Sequence, residues 1–327
     1  MKKQFLGKLE VSAVSLGCMG MTHAYGAPGD IHEMTEVLTQ AVDMGYTMFD
    51  TAECYTGTNP DGTVAYNEEL VGNALRSCRD KVVIASKFGV RHTGTGLETD
   101  SRPSTIRKSV EGSLKRLGTD YIDLYYQHRI DPKVPEEEVA GVMKELMEEG
   151  KIRFWGISEA DEETIRRACA VCPLTAIQNR YSMMYREYEK LFPVLEELNI
   201  GLVAFSPLAN GLLSDAYDKN SSFGANGDFR NFMPQFRPEA YDANKELLDM
   251  VRRIAKEKET TPAAVSLAWM ICKKPWIVPI PGTRKISRLK ENASAAEIEL
   301  TSEEIQKIDS LLEHMNMSAI FGGSPTN

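Results

Sequence analysis

The chain has 327 residues, of which 42% are hydrophobic and 26% charged, a composition that excludes a disordered or fibrous protein and can fill a large core. Its formal net charge of −9 excludes the broadly basic surface with which proteins bind nucleic acid or anionic membranes. The sequence starts without the apolar run of a signal peptide and has no apolar stretch long enough to cross a bilayer, so we expect a cytoplasmic protein.

Short runs rich in β-branched and apolar residues recur along the chain, and segments with helical periodicity separate most of them. The clearest helical segments each end just before a glycine, which favours a helix stop, and they cover residues 31–44, 105–117 and 135–149. This alternation predicts parallel strands joined by right-handed crossovers. The predicted strands cover residues 14–19, 48–52, 82–87, 121–127, 152–158, 175–179, 201–206 and 277–280.

Eight such units favour one closed (β/α)8 TIM barrel over residues 1–327, because no G-x-G-x-x-G motif follows an early strand to indicate an open dinucleotide-binding sheet. Two stretches exceed the minimal unit, residues 210–236 and the tail at 315–327. Long loops often act as lids or binding loops, so we expect both to lie over the mouth of the barrel. A surface loop without function is the alternative.

The six cysteines are scattered through a large chain, which fits reduced thiols better than a disulfide framework. Cys169 and Cys172 form a C-x-x-C motif inside a helical pattern, and no second pair completes a zinc site. We therefore predict that this pair packs in the core and that the protein uses no metal. The alternative is that the two cysteines have a redox function or bind a metal ion.

Polar residues at the C-terminal ends of barrel strands deserve a functional interpretation, since active sites of such barrels lie there. Asp50, Lys87 and His128 stand at predicted strand ends, and Tyr55 follows Asp50 in the next loop. Each alone has an ordinary structural explanation: the Asp as a helix cap, the Tyr as core, the His as a satisfied buried group. Together they offer a phenol acid, an ammonium to lower its pKa, a carboxylate to hold the ammonium and an imidazole to orient a carbonyl oxygen.

The strength of this arrangement follows from Coulomb's law. A Lys87 charge about 4 Å from the Tyr55 phenol is worth roughly 4 kcal/mol at an effective dielectric near 20, which would bring the phenol pKa from about 10 toward about 7. The sequence therefore predicts a proton donor and acceptor that works near neutral pH.

A basic segment at 282–290 stands out in this acidic chain, with four cations in nine residues at the start of a predicted helix. A helix N-terminus with guanidinium groups is suited to phosphate through its dipole and bidentate donors. A solvated helix face is the alternative, although it does not explain the clustering with Gly282 and Thr283.

Three segments, residues 45–52, 149–158 and 280–284, resemble signature segments of the aldo-keto reductase superfamily, in its order. The resemblance implies an NADP-dependent barrel enzyme that reduces aldehydes and ketones, with Tyr55 as the general acid tuned by Lys87 and Asp50, and with His128 as the fourth member of the tetrad. Residues 16–21 resemble the branch of bacterial, fungal and plant reductases that act on aldehydes and aromatic carbonyls.

The resemblance also implies how NADP is held: Ser158 and Gln178 on the carboxamide, Phe205 stacked on the nicotinamide, the loop after it along the pyrophosphate, and the basic segment on the 2′-phosphate. The predicted cofactor contacts are Gly17, Met19, Asp50, Ser158, Gln178, Phe205, Ser206, Pro207, Leu208, Asn210, Gly282, Thr283, Arg284, Arg288 and Asn292.

Three features depart from the family pattern. Gly282 stands where several branches have Lys, which shifts phosphate recognition to Arg284, and Glu159 replaces an Asn that elsewhere helps hold the carboxamide. The loop between Tyr55 and Asn67 is longer than in many members, which changes one wall of the substrate pocket.

Two other functions remain open at this stage. One is a lyase or aldolase barrel in which Lys87 forms a Schiff base with the substrate. The other is a non-catalytic NADPH-binding sensor subunit. The expected partner is a small carbonyl substrate, with neither nucleic acid nor membrane, and a homo-oligomer is left open.

Overall fold

A computed structural model describes residues 1–93, 96–224 and 227–320. Its central sheet has eight parallel strands, and each pairs with the next along the chain. The strands are β1 (Leu16–Gly17), β2 (Met48–Asp50), β3 (Val83–Phe88), β4 (Ile122–Gln127), β5 (Ile152–Ser158), β6 (Ala176–Arg180), β7 (Gly201–Phe205) and β8 (Ile277–Pro279).

The first and last strands meet and close the sheet. The backbone N–H of Ser15 donates to the Pro279 carbonyl at 3.0 Å, and a parallel bridge joins Gly17 to Gly282. A Cβ on Gly17 would lie only 2.7 Å from the Ile280 carbonyl oxygen, so this close approach requires glycine. The prediction of a (β/α)8 barrel is confirmed. The predicted first strand at 14–19 was too long, because a 3-10 helix begins at Met19.

The helices surround the barrel, and the predicted helical segments appear with shifts of one or two residues at their ends. In α1 the Asp30 side chain caps the first turn by accepting from two backbone N–H groups, and α3 ends at Gly118 in the left-handed conformation. The helices are α1 (Ile31–Asp43), α2 (Asn67–Leu75), α3 (Pro103–Leu117), α4 (Glu136–Glu148), α5 (Glu162–Val171), α6 (Phe192–Leu198), α7 (Pro238–Ala243), α8 (Lys245–Glu257), α9 (Pro262–Lys273), α10 (Ile286–Ser294) and α11 (Ser302–His314).

Three antiparallel hairpins were not predicted from the sequence. The N-terminal one pairs Lys3–Leu6 with Leu9–Ser12 and packs its apolar side chains into the barrel interior, where Gly201 leaves room for Leu6. The other two follow β2 and β3 and so stand at the rim above the C-terminal strand ends. They pair Thr56–Thr58 with Val64–Tyr66 and Val90–Thr93 with Gly96–Thr99.

The stretch at 210–236 is more ordered than the predicted loop, with 3-10 helices at Ala209–Ser214, Phe229–Phe232 and Pro234–Phe236. It pairs with the loop after β1 through a bridge between Tyr25 and Asp228. The described part therefore reaches the barrel mouth as expected; positions 225 and 226 lie outside the described residues.

The tail was expected to lie over the mouth of the barrel. Ser318 exchanges hydrogen bonds with the Asn244 side chain at the start of α8, so residues 315–320 pack there. The prediction for the rest of the tail falls on residues 321–327, outside the described part.

Two further features bear on the early expectations. In the described ranges no helix combines the length and apolar character needed to cross a membrane. All six cysteines are free thiols, and the Cys172 sulfur at the end of α5 lies 3.9 Å from that of Met147.

Candidate active site

A fully buried lysine, Lys87, bonds two of the other three predicted catalytic residues. The Lys87 ammonium, near the end of β3, donates to Asp50 Oδ1 at 2.5 Å, to the Thr51 carbonyl at 2.7 Å and to Tyr55 Oη at 3.4 Å. This meeting follows from strand order, because β2 and β3 are neighbours in register and Tyr55 returns to the sheet in a turn closed by its N–H on Ala52. The ammonium thus has an acceptor for each of its three protons.

Burial and charge act in opposite directions on these groups. Burial lowers the pKa of Lys87, but the Asp50 carboxylate and the Tyr55 hydroxyl outweigh it and raise that pKa above its ordinary value. Burial raises the pKa of Tyr55 to about 12, although the Lys87 charge lowers it. The expectation of a pKa near 7 was wrong, because it counted the ammonium and not the desolvation. The phenol keeps its proton at neutral pH, as a proton donor must.

His128 follows β4 and faces the tyrosine edge-on, with 5.6 Å between the Tyr55 and His128 ring centroids. Burial, then the charges of Lys87 and Arg129, hold the pKa of His128 well below its ordinary value. The imidazole is therefore neutral at physiological pH. Its Nδ1 lies 3.5 Å from the Cys54 sulfur. All four predicted catalytic residues thus lie together at one end of the barrel.

The predicted carboxamide ligands are bonded to the same cluster. Gln178 Nε2 donates to Asp50 Oδ2 at 2.7 Å, and the Ser158 hydroxyl donates to the Gln178 carbonyl at 2.8 Å. Arg129 Nη1 in turn donates to Ser158 Oγ at 3.0 Å. Because β5 and β6 pair Ser158 with Gln178, these groups stand side by side beside the tetrad.

Phe205 ends β7 with two guanidinium groups near its ring. The Arg180 guanidinium carbon lies 5.3 Å from the centroid of this ring, and that of Arg129 lies 6.0 Å away. Arg180 is 7% exposed, and its Nε and Nη1 have no hydrogen-bond partner in the described part of the chain. Glu159, which departs from the family pattern, lies 3.6 Å from Arg129 Nε as a counter-ion.

The loop after β7 turns sharply. Ser206, Ala209 and Asn210 have φ angles of 50°, 48° and 59°, a left-handed conformation that non-glycine residues rarely adopt. Asn210 Nδ2 donates to Tyr25 Oη at 3.1 Å, so this turn is tied to the loop after β1. The predicted pyrophosphate residues Ser206, Pro207, Leu208 and Asn210 lie in this turn.

The basic segment lies between β8 and α10, as predicted. Thr283 Oγ1 accepts from the Lys285 N–H at 3.0 Å just before α10. Arg284 Nε donates to the Gly20 carbonyl at 2.5 Å, and its buried Nη2 has no partner among the described residues. Arg288 is paired with Glu291 one turn on. Gly17, Met19, Gly282, Thr283 and Arg284 are therefore brought together, while Asn292 is buried in α10.

Sequence reasoning missed the aromatic rim of the tetrad. The His23 ring stacks on Tyr55 with 5.9 Å between centroids, and it lies 4.8 Å from the His92 ring and 6.4 Å from the Phe229 ring. His23 follows β1, His92 lies in the hairpin after β3 and Phe229 lies in the 210–236 stretch. That stretch was expected at the barrel mouth, but no sequence pattern links the three rings to one another. Cys54 was also missed, although its position next to Tyr55 was a visible signal.

Comparison with known proteins decides the family. The model of the Aldo/keto reductase family matches residues 13–313. The chain belongs to this family. It is 40% identical over 307 residues, 91% of this chain and 85% of the other, to a protein of Glycine max named "Probable aldo-keto reductase 1".

Solved structures agree with this membership. The glycerol dehydrogenase AKR11B4 from Gluconobacter oxydans matches with a TM-score of 0.84 and 28% identity, over 96% of this chain and 95% of that chain. An aldo-keto reductase from Klebsiella pneumoniae in complex with NADPH matches with a TM-score of 0.70 and 27% identity, over 95% and 96%. The protein is accordingly an oxidoreductase of the carbonyl-reducing family with a TIM-barrel fold.

Proposed function

We propose that this protein reduces aldehydes or ketones to alcohols, reversibly, with NADPH as the hydride donor. The observation that carries the proposal is the buried cluster in which the Lys87 ammonium bonds both the Asp50 carboxylate and the Tyr55 phenol. A buried phenol that keeps its proton and faces a fixed cation is suited to protonate a carbonyl oxygen.

Held beside Phe205, Ser158 and Gln178, bound NADPH would supply the hydride for the carbonyl carbon, and the π electrons of the C=O bond would pass to the oxygen. The oxygen takes the Tyr55 proton, and the resulting phenolate is stabilised by the Lys87 charge 3.4 Å away. Asp50 keeps that ammonium in place, and the neutral His128 orients the carbonyl oxygen. Solvent returns a proton to Tyr55 after the alcohol leaves.

The chain's own residues fit the cofactor. Phe205 offers a ring face at the strand ends, and Ser158 with Gln178 offers amide-binding groups next to the tetrad. Among the described residues, Arg284 Nη2 is buried without a hydrogen-bond partner beside the N-terminus of α10, which suits the 2′-phosphate of NADP. The NADPH complex of the Klebsiella relative supports the same choice.

The substrate enters beneath the rim formed by His23, His92 and Phe229, in which the His23 ring stacks on the tyrosine and contacts the other two rings. Aromatic rings favour planar or apolar partners, so we propose aromatic and other apolar aldehydes as the preferred class. We also propose that residues 1–327 form one barrel domain and that it works in the cytoplasm, which the six free thiols support.

The alternatives lose support for specific reasons. A Schiff-base lysine must be neutral to attack a carbonyl, whereas Lys87 is paired with Asp50 at 2.5 Å and has a raised pKa. A non-catalytic NADPH sensor does not need the complete tetrad that the barrel assembles.

The test is NADPH oxidation measured over a panel of aldehydes, quinones and ketones, with NADH in parallel. We expect turnover with NADPH and formation of the matching alcohol. NADPH binding without turnover on any carbonyl would support the sensor instead.

A further inference from the structure

The Cys54 thiol lies next to the tetrad imidazole, and the backbone holds both residues in place. Its Sγ is 3.5 Å from His128 Nδ1. On one side of the contact, the Glu53 N–H donates to the Lys87 carbonyl at 3.2 Å; on the other, the His128 N–H donates to the Phe88 carbonyl at 3.0 Å. The backbone next to Cys54 and the backbone of His128 are thus both anchored to β3, so the contact belongs to the frame of the site.

The two nitrogens of a neutral imidazole have different roles. One carries the proton and donates, and the other presents a lone pair and accepts. A proton on Nε2 lets His128 donate to a carbonyl oxygen, whereas a proton on Nδ1 would turn a lone pair toward that oxygen. Orienting the carbonyl therefore requires that the proton stay on Nε2.

We propose that Cys54 is a positioning residue whose S–H donates to His128 Nδ1 and keeps the imidazole proton on Nε2, facing the substrate carbonyl. This inference rests on the proposed function, because it assigns the group that prepares His128 for that reaction. Within the described part of the chain, the side chain at hydrogen-bond distance from the His128 ring is the Cys54 thiol.

The direction of the bond follows from the chemistry of the two atoms. A thiol sulfur is a weak acceptor, whereas an imidazole nitrogen is a good one, so S–H···N is favoured over N–H···S. Burial raises the pKa of Cys54 to about 12, so the donor proton is present at neutral pH. The thiol proton then stays on the Cys54 sulfur, and the imidazole proton stays on His128 Nε2.

The direct test is the nitrogen NMR spectrum of the full chain labelled with 15N-histidine. The chain has 5 histidines, and the His128 signals are assigned by their loss in His128→Asn. We expect a protonated, pyrrole-type Nε2 and an unprotonated Nδ1 in the wild type. Cys54→Val, which removes the donor at similar volume, should give a mixture of tautomers. A wild-type spectrum with protonated Nδ1, or a Val variant with unchanged tautomer, overturns the proposal.

The kinetic arm asks whether the tautomer matters for reduction. Cys54→Val should lower kcat by about fivefold to tenfold, the size of effect expected for one lost hydrogen bond, with the NADPH Kd unchanged. Cys54→Ser keeps a donor, so its kcat should follow the Nε2–H fraction in its own spectrum. Cys78→Val, a change at a thiol away from the mouth, should leave kcat as it is.

The outcomes separate this inference from the proposed function. A variant whose tautomer changes while its kcat does not, or whose kcat changes while its tautomer does not, overturns the positioning role. If the wild type reduces no carbonyl at all, the proposed function fails, while the nitrogen spectrum still decides whether the thiol holds the imidazole proton.

Discussion

Two groups of cations at the barrel mouth are held in different ways. Lys87 is fully buried and bonded to Asp50, Thr51 and Tyr55, whereas Arg284 and Arg288 are only partly buried and bond the Gly20 carbonyl and a neighbouring glutamate. Removing a partner from a buried ion pair leaves a charge without compensation, which is costly; an exposed pair is worth little and exchanges partners easily. The first group is therefore suited to fixed chemistry, and the second to a ligand that comes and goes.

The largest effect is expected where the proton donor is lost. Tyr55→Phe keeps the ring and removes only the hydroxyl, so kcat for carbonyl reduction should fall by about 10²- to 10⁴-fold, the contribution of a general acid. The NADPH Kd should stay within about twofold of wild type, since the hydroxyl is not expected to contact the cofactor phosphates. Steady-state kinetics and fluorescence titration measure both. Unchanged kcat would remove Tyr55 from the mechanism.

Lys87→Met tests the buried ion pair, and kcat should fall by at least about 10² because the phenolate loses its neighbouring charge. The Lys87 charge lowers the pKa of Tyr55, so without it that pKa should rise further. Alcohol oxidation needs the phenolate, and its pH profile should therefore move to higher pH.

The control for this variant is the double variant Lys87→Met/Asp50→Asn, which does not leave a buried Asp50 carboxylate without its counter-ion. The single variant should be destabilised by about 3–5 kcal/mol relative to wild type, as when a buried ion pair is broken, and the double variant by less. Urea unfolding measures this difference. A Lys87→Met variant with the wild-type pH profile contradicts the coupling of Lys87 to Tyr55.

Replacing both Arg284 and Arg288 by Ala tests the partly buried group. Each substitution removes charge-assisted hydrogen bonds to the 2′-phosphate, a group that NADPH has and NADH lacks. The NADPH Kd should therefore rise by at least about tenfold per Arg, while the NADH Kd barely changes. Arg252→Ala, which removes a guanidinium paired with Asp215, is the matched control. Equal weakening of both cofactors would assign the segment to the pyrophosphate instead.

Salt gives the smallest effect. Raising ionic strength from about 0.1 M to 1 M shortens the Debye length from about 10 Å to about 3 Å. The Kd of NADPH should therefore rise several-fold and the Kd of NADH by less, while the kcat of the saturated enzyme stays unchanged. A strong salt effect on kcat would mean that the tetrad is open to solvent, against its burial.

The same contrast explains what the sequence could predict. The sequence predicted three of the catalytic residues, Asp50, Lys87 and His128, because each lies where an apolar strand with the period and length typical of a barrel ends. The order of the strands alone brings those ends together. Arg284 and its neighbours were found as a charge cluster before a helix. In both cases short-range pattern was enough.

What the sequence could not predict depends on distance and burial. The pKa of Tyr55 was placed too low because desolvation is invisible in a sequence, and the His23, His92 and Phe229 rim is assembled from separate loops. The 3-10 helices of the 210–236 stretch were missed because their bonds to the loop around Tyr25 are long-range in sequence. The short first strand reflects the same effect, since the closure at Gly17 and Gly282 is a tertiary contact.

The most direct test of the central claim follows one atom. Wild-type protein is incubated with NADPH carrying deuterium in place of the transferred hydrogen at the nicotinamide C4, together with an aromatic aldehyde, and the alcohol is analysed by mass spectrometry and NMR. The account predicts one deuterium on the carbinol carbon for each NADPH oxidised. An alcohol without deuterium, or an adduct on Lys87 trapped by borohydride, would contradict it.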